Sequence, residues 1–129
     1  MPFIKKNLHK VYIELPQFIP EKSLPDWEKT IKELKRKGIK KFIISHLSQR
    51  SLFHSKDYVG TNENVYCFND AAIKALEQNK IQLFTYPLEN DIENMQHYGQ
   101  KKGILPVYFR PKLFISRMPV KLNINEPFK

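Results

Sequence analysis

Apolar strand-like runs alternate with helix-like segments along this chain, and that alternation constrains its fold more than any other feature. The segment Asn64–Val120 shows it best, with three strand-like runs separated by two helix-like ones. Asn, Glu and Arg stand where those runs stop. In β/α repeats, polar residues at strand ends are where chemistry is usually done.

Read from the start, residues 1–10 form a short basic lead-in, and Val11–Leu15 is strand-like up to Pro16. Ser23, Pro25 and Asp26 make a helix start. Trp27, Ile31 and Leu34 then fall on one helical face, and Gly38 stops the helix. Lys40–Ser45 reads as a buried strand, and Leu47–Glu63 as a long loop or short helix. Val65–Phe68 reads as a strand, followed by a helix capped by Asn69 or Asp70 and running to about Asn79. Ile81–Tyr86 is a further strand. A helix from Asn90 or Asp91 to near Gly103 turns Ile92 and Met95 inward, and strands follow at Ile104–Phe109 and Leu113–Ser116. Strands thus recur every 20 to 30 residues or so, as parallel crossover units require.

The expected class is α/β, with parallel β/α repeats forming part of a TIM-like barrel, either a half-barrel or an open sheet. About four such units fall short of the roughly 250 residues of a closed eight-stranded barrel. Residues 1–129 therefore read as a single α/β domain that is a segment of a larger barrel, or as one half of an oligomer. Asn123–Lys129 carries no capping or turn signal and reads as a cut end.

Composition narrows the partners. With 41% hydrophobic residues and nine Phe, the chain can build a core. A net charge of +9 favours polyanions such as RNA, or an acidic protein partner. The lone cysteine, Cys67, rules out an internal disulfide or a four-cysteine cluster within this sequence. No run has the length of a signal peptide or a membrane span, so a cytoplasmic protein is expected.

The step Tyr66–Leu76 (YCFNDAAIKAL), the run Leu83–Asp91 (LFTYPLEND) and the pair Pro106–Val120 (PVYFRPKLFISRMPV) together resemble the collagenase-like peptidase family of unknown catalytic type. Asn69-Asp70-Ala71-Ala72, Tyr86-Pro87-Leu88-Glu89 and Pro111-Lys112-Leu113-Phe114 approximate three of its motifs in order. The resemblance implies a TIM-like barrel and, among members, peptidase activity or hydroxylation of RNA or of a quinone ring. It also implies an iron–sulfur cluster in some members. Met118 stands where the first cluster cysteine would fall, so no cofactor and no metal are expected here.

Four residues at run ends are candidates for chemistry. Glu89 suits a general base or substrate-orienting carboxylate, and equally a first-turn Glu favoured by the helix dipole. Arg117 suits a clamp on carboxylate or phosphate, His46 a second catalytic group, and Asn69 ligand binding or simple capping. The sequence carries no HExxH, GxSxG or glycine-rich phosphate loop. Two readings therefore stand side by side. One is a peptidase-family barrel segment with a polar site at the C-terminal strand rim. The other is a basic, non-catalytic α/β module that binds RNA or an acidic partner.

Overall fold

The computed structural model describes residues 7–97, 103–108 and 110. It is mixed α/β, built on an open, parallel, three-stranded sheet of β1 (Tyr12–Glu14), β2 (Lys41–Ile44) and β3 (Tyr58–Thr61), in the order β1-β2-β3. Among the described residues three α-helices accompany it: α1 (Leu24–Arg36), α2 (Asp70–Gln78) and α3 (Ile92–Gln96).

The register explains which face is covered. Ile13, Phe42 and Val59 lie side by side across the three strands, and Ile44 pairs with Thr61. Side chains alternate along a strand. Ile13, Phe42, Ile44 and Val59 accordingly join one core with Ile31 of α1 and Ile73 and Leu76 of α2. Tyr12, Lys41 and Tyr58 form the adjacent row, which alternation turns to the opposite face. Phe42 is fully buried and packs against Phe53 at 5.1 Å between ring centroids.

α1 forms where the apolar spacing places it, with Ile31 buried and Trp27 and Leu34 partly buried against the core. Its start differs in detail from the capping-box expectation. A 3-10 turn over Glu21–Ser23 feeds the helix, so Ser23 already has helical geometry and its side chain makes no cap hydrogen bond. Its end matches the Gly38 stop: Ile39 N–H donates to Leu34 O and Gly38 N–H to Lys35 O, with Gly38 at φ +96°. That is a Schellman ending. α2 ends the same way, with Ile81 N–H donating to Leu76 O and Lys80 N–H to Glu77 O. There the left-handed position holds Lys80, at φ +58°.

The sheet continues beyond β3 through single bridges. Gly60 pairs in parallel with Leu83, and Thr85 with Ile104. Gly60 permits that close approach, because a Cβ there would lie 2.9 Å from Ile43 Cδ1 and 3.1 Å from the Leu83 carbonyl oxygen. Ile81–Tyr86, read as a strand, runs beside β3 but forms isolated bridges instead of a ladder.

Several expectations are corrected. The third strand is Tyr58–Thr61, inside the stretch read as a long loop or short helix, which also holds a 3-10 turn over Leu47–Leu52, while Val65–Phe68 forms no ladder. Those four residues alternate in burial (Val65 and Cys67 in, Tyr66 and Phe68 out), which imitates a strand pattern. α3 spans five residues, and Ile92 is 71% exposed instead of facing inward. Of Ile104–Phe109, Ile104 makes a bridge and Val107 and Tyr108 are exposed. Leu113–Ser116 lies outside the described residues.

Lys80 carries a conformation that costs an L-residue roughly 1–2 kcal/mol relative to glycine. Lys80→Gly is expected to raise unfolding stability in urea by about 1 kcal/mol. A loss of stability would contradict the reading of this turn as strained.

Candidate functional site

Parallel strands deliver their C-terminal ends to one rim, and here that rim carries a buried polar network. Glu14 closes β1, Ser45 follows β2, and Asn62 follows β3. Asn62 is buried and bridges them: its Nδ2 donates to Glu14 Oε1 and to Ser45 Oγ, both at 2.8 Å. Its Oδ1 accepts from Asn64 N–H at 3.0 Å. Both amide protons and the carbonyl oxygen are thereby engaged, which fixes the side chain in one orientation. Ser45 Oγ in turn donates to Leu15 O at 3.1 Å.

Gln49 is the second buried amide at this rim. Its Oε1 accepts from Ser45 N–H at 2.9 Å and its Nε2 donates to Pro16 O at 2.7 Å, tying the loop after β1 to the turn after β2. Between those loops lies a groove of about 860 Å³, lined among others by Gln17, Phe18, Leu24, His46, Ser48 and Asn64. Gln17 Nε2 donates to Asn64 Oδ1 at 3.2 Å across one end of the groove. Glu14 stands two hydrogen bonds behind the wall, through Asn62 to Ser45.

The four residues proposed from sequence separate. His46 lines the groove, where its Nδ1 accepts from Ser48 N–H at 3.2 Å and lies 2.8 Å from Ser48 Oγ. This is N-cap geometry for the 3-10 turn Leu47–Leu52. Asn69 caps α2, accepting from Ala72 N–H at 2.9 Å, and does not line the groove. Glu89 is exposed in the turn before α3 and also lies off the groove. The chain just before Asn69 meets α3, which follows the Glu89 turn, where Asn94 Nδ2 donates to Phe68 O at 3.3 Å. Arg117 and Met118 lie outside the described residues.

Sequence reasoning missed Glu14, Gln49 and Asn62. The rule that selected Glu89 and His46, a polar residue ending a strand-like run, applies equally to Glu14 at the end of Val11–Leu15. Asn62 was hidden because β3 was not recognised. Gln49 had no local signal, since its partners lie 4 and 33 residues away.

Among the described residues, no group of three His, Cys, Asp or Glu converges to hold a metal. Cys67 is fully buried, and desolvation pushes its thiol up to about 11, so it stays protonated near neutral pH. Native protein is expected to resist a thiol-specific reagent at pH 8 and to react once denatured. Rapid labelling of the folded state would refute that burial.

The opposite, N-terminal end of the strands is electrostatically different. A cavity of about 440 Å³ there is lined by Lys35, Ile39, Lys40, Lys41, Lys56, Asp57 and Tyr58. Lys35 Nζ pairs with Asp57 Oδ2, which also accepts from His54 N–H at 2.8 Å. Burial works to raise the Asp57 pKa, but the Lys35 and His54 contacts outweigh it and hold the carboxyl below its usual 3.8. A depressed folded pKa adds stability that is present above the unfolded value and lost as pH falls through the folded one. The stability difference between wild type and Asp57→Asn is expected to be full at pH 6 and to shrink below pH 4 or so. A difference that does not change with pH would contradict an ionised Asp57 as its source.

Comparison with protein-family models, with curated proteins and with solved structures returns no match. Among the described residues, no helix is long and apolar enough to cross a membrane.

Proposed function

We propose that this chain binds an extended peptide in the groove at the C-terminal ends of β1 and β2. The observation that carries this reading is the composition of the groove wall. Phe18, Ile19 and Leu24 offer apolar surface for side chains, while Gln17, Ser48 and Asn64 offer donors and acceptors for a peptide backbone. The nearby carboxylates are Glu21 in the wall and Glu14 behind it, so the site suits neutral or cationic ligands despite the basic net charge.

The sheet is proposed to be a segment of a TIM-like barrel, completed by further strands of the same or another chain. Its neighbours follow chain order without reversal, from β1 to β2 to β3, then Leu83 beside Gly60 and Ile104 beside Thr85. Doubly wound sheets reverse at a switch point, whereas barrels keep winding in one direction. In a barrel the C-terminal rim is the active face.

Peptide cleavage is the extension that resemblance to the collagenase-like family suggests. Of the two carboxylates near the groove, Glu21 in its lining and Glu14 behind it, Glu14 is the one oriented by a buried amide, whereas Glu89 lies off the groove. Asn62 holds one Glu14 oxygen and the residue is exposed to solvent, where a carboxylate can take a proton from water. Ser45 is a poor nucleophile because its hydroxyl is committed to Leu15 O.

Fluorescein-labelled peptides from digested gelatin test the proposal by anisotropy. Phe18→Ala and Asn64→Ala are each expected to weaken binding about tenfold, or about 1.4 kcal/mol. Glu14→Gln should retain binding and abolish any cleavage. Binding indifferent to both groove substitutions would overturn the assignment.

A further inference from the structure

The lysines dispersed along the sequence gather at one end of the sheet. Lys10 precedes β1, Lys40 and Lys41 open β2, Lys56 precedes β3, and Lys80 precedes the Ile81–Tyr86 run. Neighbouring strands lie about 4.8 Å apart, so this basic edge spans about 14 Å. It is longer than a single phosphate needs.

The cavity at its centre is built around Lys41. Tyr12, Lys41 and Tyr58 are the first residues of β1, β2 and β3, and they share one register row. The Lys41 ammonium lies 5.0 Å from the Tyr12 ring centroid and 5.6 Å from that of Tyr58. The two rings, 6.1 Å apart, hold this cation in place without neutralising it. The one acid lining the cavity, Asp57, is paired with Lys35. Among the described residues Lys40 and Lys56 make no ion pair and are exposed beside it. Desolvation, with help from Tyr12, raises the Tyr58 phenol above its usual 10.0, so no phenolate competes for the cations.

We propose that this edge binds the sugar–phosphate backbone of single-stranded nucleic acid, with Lys40, Lys41 and Lys56 contacting consecutive phosphates. The site offers lysine point charges, and neither Arg nor Gly is among the residues that line it. Such a surface recognises charge density along a polymer better than one isolated phosphate. Exposed Tyr12, beside Lys41, adds a ring on which a base can stack. An acidic protein would present carboxylates without that stacking partner. The edge lies at the strand ends opposite the peptide groove, so the two proposals stand or fall separately.

The test is anisotropy of a labelled twelve-nucleotide uridine oligomer titrated with the whole chain at several salt concentrations. The triple variant Lys40→Ala, Lys41→Ala, Lys56→Ala should lose at least tenfold in affinity at 50 mM salt. Its slope of log affinity against log salt should become shallower by about 2, at about 0.7 per lost phosphate contact. Lys40→Gln with Lys56→Gln leaves the tyrosine–lysine row intact and should lower the slope by about 1.4, which keeps the proposal testable if the triple variant misfolds. A control triple at exposed positions elsewhere, Lys22→Ala, Lys29→Ala, Lys74→Ala, removes the same charge and should change affinity less than threefold. Equal losses in both triples would show that net charge alone is responsible and overturn the site. So would absence of binding by the wild type. Polyglutamate bound as tightly, and with the same sensitivity to the first triple, would assign the edge to acidic proteins instead.

Discussion

Burial of β2 between two parallel neighbours is the constraint on which the other features rest. Phe42 and Ile44 are fully buried on the helix-covered face. Each such side chain contributes about 1.5–3 kcal/mol over its exposed state. With β1 on one side and β3 on the other, a one-residue slip of β2 would move Phe42 and Ile44 out of the helix-covered core and turn Lys41 into it. The register is therefore strongly specified. The same register brings Glu14, Ser45 and Asn62 to one end of the sheet and aligns Tyr12, Lys41 and Tyr58 at the other.

The two ends differ for a physical reason. Strand starts follow helix C-termini, where the helix dipole favours cations, and Lys35, Arg36 and Lys37 at the end of α1 obey that rule. Lys40 and Lys41 then extend the positive region into the sheet edge. Strand ends feed loops whose backbone groups need partners, and buried Ser45, Gln49 and Asn62 meet that demand with side-chain amides and a hydroxyl. A fold that satisfies its own backbone thus leaves a fixed polar rim above and an under-neutralised basic edge below.

Legibility in the sequence followed the locality of the interactions. α1 could be read from Trp27, Ile31, Leu34 and Gly38 because its face and its stop lie within one segment. The Asn69 cap is equally local. β3 could not, since Tyr58-Val59-Gly60-Thr61 has a glycine where strand propensity expects a side chain. That glycine is required by Leu83, 23 residues away. Val65–Phe68 has the right residues for a strand but no neighbour to pair with. The rim was half legible: His46 is where a strand-end residue should be, whereas the Glu14–Asn62–Ser45 bridge joins residues 17 and 48 positions apart. The basic edge was invisible as a cluster because its lysines meet only through the strand order.

Mapping backbone amide shifts on isotope-labelled protein tests the central claim, that the C-terminal rim is a ligand site. Titration with a groove-binding gelatin peptide should perturb Gln17, His46, Ser48 and Asn64 first and leave Lys40, Lys41 and Tyr58 unmoved. Perturbations centred on the lysine edge, or on the helices with the groove amides unchanged, would contradict it.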